Sequence, residues 1–181
     1  MLFLNMMEYL TLGLVLSREE GKEADANLHV YTRDFGRVSA VSRSLRKITS
    51  KLSGHLLPGN FVSVRLVERN NGGWQAVDAM SVKRMPVSQS SLRFLEFIKE
   101  TTPQNEADLK VWNKIGSLPE KGKIDRGDYV EILDLLGLGG SAARCAHCGG
   151  EVSYFLPKDV IFMCRQCFFR SLSSEDEAVH I

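Results

Sequence analysis

The chain lacks any apolar run approaching the roughly 20 residues that a membrane-spanning helix requires. It also lacks a secretory signal: "MLFLNMM" is apolar, but no basic region precedes it and no small-residue cleavage site follows. Met6 or Met7 would serve as a start as well as Met1. Net charge is almost absent, +1 over 181 residues, and no internal repeat or low-complexity segment interrupts the sequence. Histidine is scarce; His29, His55 and His180 lie far apart with no nucleophile pattern near them. Acid pairs such as Glu19-Glu20 and Asp176-Glu177 fall in loop or tail sequence, where water solvates them. "LGLGGS" at 136–141 follows a helical pattern rather than a strand and lacks both G-x-G-x-x-G and G-K-[ST]. It reads as a glycine C-cap and linker, not a phosphate loop. No catalytic constellation emerges, and the expectation is a protein that is not an enzyme.

What is present suits a soluble globular chain, 44% hydrophobic and 25% charged, long enough for one ordinary domain or two small ones. The first half reads as strands. In "YLTLGLVL", Leu10, Leu12, Leu14 and Leu16 alternate with Tyr9, Thr11, Gly13 and Val15, giving a regular apolar face. "ANLHVYTR" sets Leu28 and Val30 against His29, Tyr31 and Arg33; a turn at "DFG" then leads to "RVSAVS". "NFVSVRLVE" alternates again, and the Asn71-Gly72 hairpin signal precedes "WQAVDAMSV". Five short strands in about eighty residues predict a barrel, which removes exposed edges by closing. After Pro86 the period becomes helical: "SSLRFLEFIKE", then "TPQNEADLKVWNKIG" with Thr102 and Pro103 at its start and Gly116 at its end, then "DRGDYVEILDLLGL" capped by Asp125. The expected fold is α+β: a five-stranded OB-type barrel over 1–84, a helical region over 85–144, a four-cysteine zinc hairpin over 145–167 and a tail over 168–181.

Every cysteine lies in "CAHCGGEVSYFLPKDVIFMCRQC". Cys145, Cys148, Cys164 and Cys167 form two C-x-x-C pairs with a hairpin pattern between them, a spacing that suits tetrahedral zinc. An unoccupied or redox dithiol pair is the alternative reading, and His147 is an alternative ligand. Four sulfurs close the coordination sphere, and the H-x-E partner of deaminase sites is missing. The zinc is therefore expected to be structural, in a reducing cytosol where paired cysteines favour metal over disulfides.

The small net charge hides an asymmetry. Residues 1–84 hold twelve Lys/Arg against eight Asp/Glu, while 85–181 hold eleven against fourteen. Between Arg33 and Lys51 six basic residues meet one acid, Asp34. If 43–52 is a helix, Leu45, Ile48 and Leu52 share one face and Arg43, Arg46, Lys47 and Lys51 the other. With Arg33 and Arg37 on adjoining strands, these cations would track a phosphate backbone, and Tyr31 or Phe35 would stack on an unpaired base.

The run from "YLTLGLVL" through "YTRDFG" to "SKLSGHLLPG" resembles the N-terminal OB domain of RecO, the bacterial recombination-mediator family. "LDLLGLGGSAARCAHCGG" with the second C-x-x-C is similar to that family's zinc loop and approach helix. The resemblance covers roughly 7–84 and 131–167. It implies binding of single-stranded and also duplex DNA, strand annealing and assistance in recombinase loading. It further implies partnership with RecR and with the acidic tail of single-strand-binding protein, and a cytoplasmic, nucleoid-associated location. By position it places Arg33, Arg37, Arg43, Arg46, Lys47 and Lys51 on the family's basic OB surface and the four cysteines on its zinc ligands. RecO proteins are usually longer, with a larger helical domain. Two other classes stay open: an adaptor whose basic face meets an acidic peptide, and an RNA-binding OB and zinc-ribbon protein.

Overall fold

The computed structural model describes residues 7–70, 72–171, 174 and 177–181. Met6, Asn71 of the expected hairpin turn and Asp176 lie outside the described residues. β1 (Glu8–Glu20), β2 (Ala26–Thr32), β3 (Gly36–Ser42), β4 (Asn60–Glu68) and β5 (Trp74–Arg84) close into a barrel in the order β1-β2-β3-β5-β4. The closure is a short parallel pairing, Ala40 with Trp74 and Val41 with Gln75, and every other junction is antiparallel. This is the expected OB-type barrel.

The leucine face of β1 is the outer face of the barrel. A narrow five-stranded lumen takes small and β-branched side chains. Val15 therefore points inward with Val30, Val38, Val62 and Val64, and Leu45 and Leu56 join the same cluster. Gly13 is needed there, because a Cβ would sit 2.6 Å from Val30 Cγ1. Leu14 and Leu16 point outward and are buried by other elements, whereas Leu10 remains 73% exposed.

Three helices supply that cover: α1 (Gln89–Thr101), α2 (Leu109–Lys121) and α3 (Arg126–Leu135). Leu14, Leu16, Tyr31 and Phe61 of the barrel share one buried cluster with Phe94, Phe97 and Ile98 of α1, Val111 and Ile115 of α2 and Ile132 of α3. Thr102 does not open α2; it ends α1, its N–H donating to the Ile98 carbonyl at 3.1 Å. Asp108 caps α2 instead, accepting from the N–H groups of Lys110 and Val111 at 2.7 and 3.1 Å. The helix then continues past Gly116 and includes Pro119. After α3, the C-cap reading of the glycines holds. Gly137 has φ 74°, its N–H reaches the Asp134 carbonyl at 3.0 Å, and the Leu138 N–H reaches Leu133 at 2.8 Å. That pair of bonds is a Schellman closure.

The distal part is a small sheet. β6 (Tyr154–Leu156) pairs with β7 (Ile161–Met163), a short α4 (Arg165–Arg170) follows, and β8 (Val179–His180) returns to pair with β6. The segment after Cys167 is thus more than a tail: Val179 and Ile181 are buried in the same cluster as α1.

α2 and α3 are tied by a buried carboxylate that the sequence reading did not select. Asp128 is 1% exposed, and its oxygens lie 3.0 Å from Lys114 Nζ and 2.8 Å from Lys121 Nζ. It also completes a capping box with Asp125. Burial pushes this carboxyl up, but the Asp125 N–H and the two ammonium groups outweigh it and hold it below its ordinary value. A carboxyl lowered by folding contributes stability that is complete above its unfolded value and is lost as pH falls through the folded one. Asp128→Ala should cost about 2–4 kcal/mol near neutral pH. In denaturant unfolding the difference from wild type should shrink below about pH 3–4; a pH-independent difference would assign Asp128 a packing role only.

Candidate nucleic-acid interface and cysteine centre

The β6–β7 hairpin builds the cysteine centre. Its register, Tyr154 with Met163 and Leu156 with Ile161, carries the chain back so that Cys164 follows the end of β7. The Ala146 N–H donates to the Phe162 carbonyl at 2.9 Å, which pins the first knuckle beside the second. Within that knuckle Gly149 adopts φ 70° and donates to the Cys145 carbonyl at 2.8 Å. Cys164 caps α4, its sulfur accepting from the Cys167 N–H at 3.4 Å. The sulfurs of Cys148 and Cys164 are 3.6 Å apart, and all four lie within 4.8 Å of one another. Tetrahedral zinc with bonds of about 2.3 Å needs sulfurs about 3.8 Å apart, so the donor set fits. Among the described residues the four cysteines form this cluster without His147. The thiols divide in acidity: the Cys164 N–H leads in drawing Cys145 down to about 6, while Cys167, hydrogen-bonded to Cys164 and crowded by the others, is pushed up to about 12. Such an array cannot shed all four protons unaided, and a divalent cation would supply the missing positive charge.

The predicted DNA-binding residues separate into three places. Arg43, Arg46, Lys47 and Lys51 are exposed on the loop between β3 and β4. This loop is not the expected helix. Ser44 takes φ 53°, and its N–H goes to Asp25 Oδ1 at 2.7 Å; the Arg46 N–H goes to the Ala24 carbonyl at 2.9 Å. A left-handed residue at the second position breaks a right-handed helix, and the bonds that follow span three residues, Lys47 to Ser44 at 3.2 Å and Ser50 to Lys47 at 2.9 Å, as turns do. Leu45 and Leu56 close this end of the barrel, while Ile48, assigned to the apolar face by helical spacing, is 106% exposed. Arg46 pairs with Glu20 at 3.2 Å and donates to the Glu23 carbonyl. Among the described residues Arg43, Lys47 and Lys51 enter no ion pair, which leaves them as the outward cations of the loop.

Arg33 is exposed at the opposite end, on the β2–β3 turn, beside Thr11 and Asp34, which are joined at 2.6 Å. The length of β3 puts it roughly 20 Å from Arg43. Arg37 is half-buried and engaged: its Nε donates to the Thr102 carbonyl at 2.9 Å and its own carbonyl accepts from the Asn105 N–H at 2.9 Å. Gly36 permits this approach, since a Cβ there would lie 1.8 Å from the Glu106 carbonyl oxygen. Tyr31 is a correction: it is 1% exposed, stacked on Trp112 with centroids 6.5 Å apart, and burial pushes its hydroxyl up to about 12. It cannot present a ring to a base.

The aromatic surface lies elsewhere. Phe35, Tyr9 and Trp74 form a cluster in which Trp74 lies 5.1 Å from Phe35 and 5.7 Å from Tyr9. Trp74 also lines a groove of about 280 Å³ on the outer β2–β3 face with Asn27, His29, Ser39, Val41 and Arg69. His29 shares a hydrogen bond with Ser39 at 3.1 Å, and burial holds its imidazole below the usual value. The one available signal for this groove was an aromatic residue opening β5 directly after a glycine pair.

A closed five-stranded barrel of this order, with one wall covered by helices, is the OB class of scaffold, which in other proteins carries oligonucleotides and oligosaccharides. Residues 6–85 match the family model described as "Recombination protein O N terminal". The relatives found carry the name DNA repair protein RecO. That of Chlorobium phaeobacteroides is 29% identical over 61% of this chain and 46% of its own length. That of Rubrobacter xylanophilus is 29% identical over 90% and 72%, and that of Bacillus velezensis 23% over 86% and 67%. The barrel matches the RecO N-terminal family model, and the chain is similar to RecO proteins over most of its length, spanning between about half and three quarters of these relatives. The likeness expected from the sequence is shown.

Elemental analysis of the purified chain should find one tightly held divalent metal per molecule, and Cys164→Ser should lose it. Full stoichiometry in that variant would remove Cys164 from the ligand set.

Proposed function

We propose that this chain is a non-enzymatic DNA repair and recombination mediator that binds single-stranded DNA, brings complementary strands together and assists recombinase loading. The observation that carries the reading is the exposed loop of Arg43, Lys47 and Lys51 on a barrel that matches the RecO N-terminal family model. Cations spread along a loop offset the repulsion between two phosphate backbones while leaving bases free to pair. We assign zinc to the four cysteines, in a structural role, since four sulfurs leave no open position for substrate. The barrel serves as the nucleic-acid domain. The helices, the hairpin and β8 serve as its support, with RecR and the acidic tail of single-strand-binding protein as partners of RecO type. The protein would work in the cytoplasm, at the nucleoid. Duplex DNA would engage the same loop through phosphates alone.

Anisotropy of a fluorescent single strand across a salt series tests this. Wild type should bind with a steep slope, and the triple variant R43E/K47E/K51E should lose about two units of that slope, three phosphate contacts at about 0.7 each. Folded, metal-loaded protein that fails to bind at low salt would overturn the DNA reading and favour a protein adaptor.

A further inference from the structure

We propose that the cleft between the first turns of α1 and α3 binds a phosphomonoester, held by the N–H groups of Gln89 and Ser90, the Tyr129 hydroxyl and the guanidinium groups of Arg93 and Arg126. The cleft is lined by α1, α3, β8 and the residues leading into α3 and β8, not by the barrel. It does not depend on the strand-binding reading above.

Two independent observations meet there. The first is an uncompensated helix end. Ser88 caps α1 by accepting from the Ser91 N–H at 3.1 Å, which leaves the N–H groups of Gln89 and Ser90 without a partner among the described residues. No acid stands in the first turn, so the positive end of the α1 dipole is not offset. Both residues line the cleft, and a helix end of this kind attracts phosphate.

The second is a buried hydroxyl with nothing to bond. Tyr129 is 8% exposed, its ring packed edge-to-face with Phe94 and Phe97 at 5.7 and 5.0 Å. Its hydroxyl makes no hydrogen bond among the described residues, and what remains of its surface lines the cleft. Buried hydroxyls ordinarily find a partner, so this one marks a place for an acceptor. Burial pushes it up to about 12, against the pull of Arg93, and it is therefore a neutral donor at ordinary pH.

Charge and size agree. Arg93 of α1 and Arg126 at the start of α3 line the cleft, and so does His180. The acid among the described lining residues, Asp125, is occupied by Lys121 at 2.6 Å and by the cap of α3. Amide, hydroxyl and guanidinium donors from two helices suit the three terminal oxygens of a monoester better than the two of a backbone diester. At about 360 Å³ the cleft exceeds a bare ion and falls at the lower end of sites for small organic ligands, so the phosphate can arrive on a nucleotide.

The probes are inorganic phosphate, thymidine monophosphate and thymidine, titrated into the isotope-labelled, metal-loaded chain and followed by backbone amide shifts. The Gln89 and Ser90 amides should move with thymidine monophosphate and stay still with thymidine. Tyr129→Phe keeps the packed ring and should weaken binding about tenfold, the loss of one hydrogen bond to a charged group. Arg126→Gln should weaken it by a similar factor, and R43E/K47E/K51E should respond as wild type does. The source follows from three supporting patterns. Equal affinity for inorganic phosphate assigns the free anion, tighter binding of the monophosphate assigns a nucleotide, and a response to end-phosphorylated but not unphosphorylated oligothymidylate assigns a strand end. If the two amides ignore every phosphate in the folded chain, the site is wrong. It is equally wrong if they move but Tyr129→Phe and Arg126→Gln leave the affinity unchanged. Either failure leaves the mediator reading standing, because strand binding by the basic loop is measured separately.

Discussion

Everything outside the barrel depends on one apolar seam. Leu14 and Leu16 leave the outer face of β1 in the same buried cluster as Phe94, Phe97 and Ile98 of α1. Phe97 is the meeting point: its ring lies 5.0 Å from Tyr129 of α3 and 6.1 Å from Phe155 of the cysteine hairpin. Buried aromatic and leucine side chains contribute on the order of 1.5–3 kcal/mol each. A handful of them outweighs any of the exposed ion pairs that decorate the seam, such as Lys99 with Glu19. The hairpin is therefore docked by packing.

That seam decides which surfaces remain for a ligand. By covering the wall that includes Leu14, Tyr31 and Phe61, the helices remove that part of the barrel exterior from solvent. They also take Arg37 into a bond with Thr102. A closed barrel has no free edge to offer, so binding falls to loops and uncovered faces. Two adjoining candidates survive, the 43–51 loop and the β2–β3 groove. Arg33, at the other end of its hairpin, stands apart from both.

Much of this was legible in the sequence. Period-two alternation located the strands, the glycine after α3 marked its Schellman closure, and the C-x-x-C spacing located the hairpin that gathers the four cysteines. Three things were not legible. The face of β1 that looked most like a core face lies outside the lumen, because a sequence shows that a face is buried but not what buries it. The 43–52 segment has helical spacing, yet Ser44, bonded to Asp25 of a loop far away in sequence, takes a left-handed conformation that breaks the helix. Tyr31 alternates with the inward Leu28 and Val30 and looked exposed; only α2, arriving from eighty residues away, buries it.

The bracing of the basic loop has an electrostatic consequence. The same β1–β2 loop that fixes its backbone brings Glu20, Glu23 and Asp25 against it, and Glu20 occupies Arg46. Of the four cations on the loop, those the proposed reading leaves for phosphate are Arg43, Lys47 and Lys51, and the neighbouring acids lower the potential they produce. A surface of this kind holds a phosphate backbone through few, salt-sensitive contacts and releases it readily. On the proposed reading, in which two strands are brought together and the duplex is left behind, release matters as much as capture. Acids beside the basic loop thus serve the fold, by ordering a segment with no regular hydrogen bonding, and on that reading they would also keep DNA exchangeable.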